Sequence, residues 1–104
     1  MGYVYLILSE DLNLYKIGRT KLSPSKRLKQ LSTGSPDQLI LINSYETEHP
    51  SKLESWVHRF FHEKRCVKGE WFDLDETDVA EFTKTCEDRN NTIKFLLKEN
   101  PFFN

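Results

Sequence analysis

The sequence predicts an α/β protein of the α+β kind, a small sheet laid down early in the chain and flanked by helices. Three observations predict it. Residues 3–8, 14–19 and 39–45 are short runs rich in β-formers,. Leu53, Trp56, Val57, Phe60 and Phe61 recur at helical spacing, and Val79, Phe82, Cys86, Ile93 and Leu96 suggest a second helical stripe toward the C-terminus,. At 104 residues the chain has the length of one domain, here divided into a core over residues 1–74 and a helical extension over 75–104,.

The first two strands are joined by Ser9-Glu10-Asp11-Leu12-Asn13, a length and composition that fit a hairpin loop,. Ser23 followed by Pro24 reads as a cap and first helical position, so a helix is predicted to about Ser32, with Leu28 and Leu31 inward and Gly34 as its stop,. Residues 39–45 are nearly all apolar, the pattern of a central strand covered on both faces,. A longer helix is expected from Ser51, then a turn at Lys68-Gly69, an extended piece over 70–74, and a C-terminal helix that Asn90-Asn91 can interrupt,.

The opening Met1-Gly2-Tyr3 lacks a basic segment followed by an apolar one, and no apolar run approaches the ~20 residues of a membrane span,. Cys66 and Cys86 make no disulfide framework, so an intracellular protein that is not secreted is expected,. The net charge of −1 conceals an uneven distribution. Lys16, Arg19, Lys21, Lys26, Arg27 and Lys29 cluster with no acid between Asp11 and Asp37, while acids dominate from Glu70 to Asp88. Such a basic run is an ordinary solvated face or a nucleic-acid-binding one.

Strand parity sorts the reactive side chains. Tyr3, Tyr5 and Ile7 share one face of the first strand and Val4, Leu6 and Leu8 the other,. If Tyr15 and Ile17 join the latter set in the core, Lys16 and Gly18 emerge beside Tyr3 and Tyr5, and the bare glycine leaves room for a close approach,. The plainer reading has both tyrosines covering a sheet face under the Lys16 stem.

Tyr3-Val4-Tyr5, Lys16-Ile17-Gly18, Arg27, Leu53-Glu54, His58 and Gly69-Glu70-Trp71-Phe72 follow one another in an order that resembles the GIY-YIG nuclease superfamily,. The resemblance is strongest to its branch of small phage and viral proteins and spans residues 2–74. It implies a three-stranded antiparallel sheet with flanking helices, and hydrolysis of DNA at a single divalent ion, Mg²⁺ or Mn²⁺. In that frame Tyr5, Lys16, Arg27 and Glu54 are the catalytic set, Tyr3, Gly18, Arg19 and His58 support it, and Glu54 binds the metal. Lys16 stands where the family usually has a tyrosine. An asparagine common after the glutamate helix lacks a counterpart, since Asn90 is too distant.

The residue chemistry fits that frame independently. Mg²⁺ prefers oxygen ligands and keeps several waters, so one carboxylate suffices when substrate phosphate supplies the rest. Arg27 suits bidentate phosphate binding. Tyr5 is expected to act as general base, its pKa lowered by Lys16 and the metal. Competing readings make Ser51 and Glu54 a capping box, Arg27 a surface residue, and His58, His62, Cys66 and Cys86 a zinc site. A DNA-binding module without turnover, or an interaction or inhibitory protein using exposed Trp71 and Phe72, are the alternatives to an enzyme.

Overall fold

A computed structural model describes residues 1–66 and 69–99. Strands β1 (Gly2–Ser9) and β2 (Leu14–Thr20) form the expected hairpin, in which Asn13 adopts a left-handed conformation with φ 53° that asparagine tolerates,. Helix α1 (Pro24–Ser32) follows, with the Ser23 side chain accepting from the Lys26 N–H and proline in the first turn. Then come β3 (Leu39–Thr47), α2 (Pro50–Phe60), a 3₁₀ turn at His62–Lys64, β4 (Trp71–Phe72), α3 (Glu76–Ala80) and α4 (Phe82–Glu99). Lys68, half of the expected Lys68-Gly69 turn, lies outside the described residues.

The sheet is antiparallel with four strands in the order β3-β1-β2-β4. The extended piece expected over 70–74 contributes the fourth, a two-residue strand pairing Trp71 with Lys16 and Phe72 with Tyr15. The central positions, one of them expected for residues 39–45, belong instead to β1 and β2. β3 is an edge strand whose Ile40 and Ile42 are 37% and 38% exposed, so its apolar run reflects partial cover rather than burial on both faces.

The main core lies on one side of the sheet. Val4, Leu6 and Ile17 meet Leu53, Val57 and Phe61 from the α2 segment, Phe72 and Leu74, and Phe82, Cys86 and Ile93 from α4. Each fully buried large apolar side chain there contributes roughly 1.5–3 kcal/mol. Tyr5 and Ile7, also buried, point to the other side, where α1 lies,.

Two expected helix features differ. α2 begins at Pro50, which moves Ser51 inside the helix; the cap position is His49 without a side-chain hydrogen bond, and no Ser51–Glu54 capping box forms. The C-terminal helix breaks at Glu81, between α3 and α4, and not at Asn90-Asn91. Asn90 is buried; its Oδ1 accepts from Thr47 Oγ1 at 2.6 Å, so tertiary partners hold its amide and the helix runs through,. α3 carries its own capping box, Asp75 with Asp78.

Candidate functional site

The site gathers at the outer edge of β2. β4 covers that edge only at Tyr15 and Lys16, so the backbone just beyond is served by other partners. Ile17 N–H donates to the Glu70 carbonyl at 3.1 Å, and the Ile17 carbonyl accepts from His58 Nε2 at 2.8 Å. A carbonyl only accepts, so Nε2 carries the proton in this contact,. The buried Phe72 ring, 5.1 Å from the imidazole in an edge arrangement, holds His58 in place.

Glu54, one helical turn before His58 on α2, brings its carboxylate to the same place. Ligand atoms of Glu54, His58 and Glu70 lie within 4.8 Å of one another. The two carboxylates suit Mg²⁺ or Mn²⁺, and the imidazole nitrogen beside them suits a transition ion such as Mn²⁺ better than Mg²⁺, so these residues fit a divalent ion,. Glu54 is 6% exposed, and Arg19 Nη1 donates to its Oε1 at 2.6 Å. Lys16 Nζ lies 3.2 Å from Glu70 Oε2 and 5.5 Å from the Trp71 ring centroid.

Tyr5 reaches this edge across Gly18, its partner on β2. A Cβ at position 18 would stand 2.5 Å from Tyr5 Cζ and closer still to the hydroxyl, so the glycine makes room for the chain's own phenol. Burial pushes the Tyr5 pKa up, Arg27 works against that, and the Glu70 and Glu54 carboxylates add to it. The expected lowering by Lys16 is therefore corrected. The ammonium is committed to Glu70, and the cation that acts on the phenol is Arg27. Arg27 Nη1 donates to Gln30 at 3.1 Å, whereas its Nε is buried without a partner.

The T5orf172 domain model matches residues 2–87. The chain belongs to the T5orf172 domain family. This finding overturns the assignment to the GIY-YIG superfamily drawn from the motifs, because two- and three-residue signatures on paired strands do not by themselves single out one family. Roles transferred through that resemblance lose their warrant, and only the geometry of each side chain supports a role for it. The protein 460R of Invertebrate iridescent virus 6 is similar, 33% identical over 104 residues. That alignment covers 95% of this chain and 45% of the viral protein, so the chain spans about half the length of the relative it matches. No solved structure matches.

The remaining expected residues of this T5orf172 domain separate into two groups. Tyr3 is not part of the cluster; its hydroxyl donates to Glu46 at 3.3 Å toward β3. Lys21, Lys26 and Lys29 are exposed around α1, outside the cluster. Cys86 is buried in the core, away from any set with His62 and Cys66, and the group of metal-binding type among the described residues is Glu54, His58 and Glu70. Trp71 and Phe72 are not exposed docking aromatics, since Phe72 is fully buried and Trp71 is half-buried. Sequence reasoning missed Glu70 as a site residue, although the Gly69-Glu70-Trp71-Phe72 motif contains it. The missing signal was the pairing of β4 with β2, which brings Glu70 to Ile17. No helix among the described residues is long and apolar enough to cross a membrane.

Proposed function

We propose that this T5orf172 domain is a divalent-metal-dependent endonuclease domain that hydrolyses DNA phosphodiesters inside the cell. The observation that carries the reading is the approach of Glu54, His58 and Glu70 to within 4.8 Å of one another, at the edge where Tyr5 and Arg27 arrive. A bound Mg²⁺ or Mn²⁺ would supply Lewis-acid stabilisation of phosphate charge and a more acidic water. Glu54, Glu70 and His58 are the residues to hold it.

Arg27, the cation that acts on the Tyr5 phenol, offers its guanidinium to a non-bridging phosphate oxygen and offsets charge growing in the transition state,. Tyr5, its pKa raised by burial, keeps its proton at neutral pH. It therefore serves as hydrogen-bond donor to the attacking water or the phosphate, and the general-base role expected for it is not carried forward. Lys16 and Arg19 form ion pairs with Glu70 and Glu54. Those same ion pairs favour the second reading, a DNA-binding module without turnover.

Cleavage of supercoiled plasmid with Mg²⁺ or Mn²⁺, repeated with EDTA, with Glu54→Gln and with Arg27→Ala, separates the two. Hydrolysis is expected, abolished by EDTA and reduced about 10²-fold or more in each variant. Salt-sensitive binding with no cleavage in any metal would establish the module instead.

A further inference from the structure

A concavity lies between α2 and α4, apart from the cluster at the β2 edge. Ser51, Lys52, Ser55, Arg59, Arg89 and Ile93 line it, and it encloses about 320 Å³. Ser51, Ser55 and Arg59 recur every four residues, so they form one row along α2,. Ser55 and Arg59 follow Glu54 and His58 by one position each, which turns this row about 100° around the helix from those two residues. The concavity therefore opens on a different flank of the helix that carries the candidate metal ligands.

The chemistry of the lining is one-sided. Three side chains are cationic, two are hydroxyls, and none is a carboxylate. Arg89 is held with its guanidinium carbon 5.3 Å from the Trp56 ring centroid, a contact that restrains the fork,. Its Nε is buried and has no hydrogen-bond partner. The terminal nitrogens of the same restrained guanidinium, beside Arg59 and two hydroxyls, match a tetrahedral oxyanion in charge and geometry,.

We propose that the concavity between α2 and α4 binds a phosphate group, with Arg89 and Arg59 as its charged donors and Ser51 and Ser55 as its neutral ones. This goes beyond the endonuclease reading and does not depend on metal or turnover. The phosphate comes from a nucleic-acid strand lying along α2 or from a free small molecule, and one probe of each kind distinguishes the two sources.

The test is binding in EDTA, measured with a fluorescein-labelled single-stranded oligonucleotide by anisotropy and with inorganic phosphate by calorimetry. The intact chain is compared with Ser55→Asp, Arg59→Gln and Arg89→Gln. Ser55 and Arg59 are exposed helix positions, so the first two substitutions leave the fold intact, as circular dichroism will verify. Ser55→Asp is expected to weaken binding at least tenfold. Each arginine substitution should lower the slope of log affinity against log salt for the strand by about one. Loss confined to the oligonucleotide identifies a strand phosphate, and loss for both probes identifies a general phosphate site. Binding of both probes unchanged in all three folded variants overturns the proposal. Ser55→Asp-sensitive binding in a protein that never cleaves DNA overturns the endonuclease reading alone.

Discussion

A methyl group at position 18 would stand where the Tyr5 phenol now sits, and this makes one glycine the gate to the site. Gly18→Ala must displace a fully packed ring, so unfolding in urea is expected to show a loss of about 1–3 kcal/mol. An unchanged midpoint would mean that the phenol does not cross the strand there. Strand parity made Gly18 and Tyr5 legible as neighbours in the sequence, because pairing follows from alternation. The charge acting on the phenol was not legible: Lys16 is two residues from Gly18 in sequence, yet Glu70 draws it away, and Arg27 reaches Tyr5 from α1. Glu54 is an intermediate case. Its position on α2 followed from helical spacing, but the choice between capping box and cluster depended on Pro50 starting the helix one residue earlier than expected.

At the scale of elements, α4 is tied to the end of β3 by a small buried network. Thr47 Oγ1 donates to Asn90 Oδ1 and accepts from the His49 N–H at 2.9 Å, joining the strand, the helix and the entry to α2. Asn90→Ala leaves the Thr47 hydroxyl without its acceptor, so a destabilisation of roughly 1–3 kcal/mol is expected in chemical denaturation. Thr47→Val combined with Asn90→Leu should restore part of it, and additive losses in that double variant would refute the coupling. Sequence reading identified the hairpin, α1 and the α2 stripe because each is a local pattern with its own start and stop signals. It misplaced β3 and the helix break because strand order and the partners of a buried amide are tertiary facts.

Across the whole molecule, the core encloses a titratable group that the site does not use. Burial pushes the Cys86 thiol up to about 12 from its ordinary 9.0. The folded protein then holds a proton that the unfolded chain releases first, so this contribution to stability is complete below pH 9 and falls between pH 9 and about 12,. The limiting slope for that one proton is about 1.4 kcal/mol per pH unit. Cys86→Ala is expected to be less stable at pH 7, with a shallower decline above pH 9; urea midpoints at stepped pH measure both. Equal slopes in the two proteins would contradict the burial of the thiol.

The proposed activity requires that Glu54, Glu70 and His58, carried by two distant segments, form one divalent-cation site at the edge of β2. Titration of the intact protein with Mn²⁺, followed by electron paramagnetic resonance of the free ion, decides whether they do. One saturable ion per chain, lost in Glu54→Gln while the fold is kept, is the predicted result. No saturable binding, or the same binding in the variant, would contradict it.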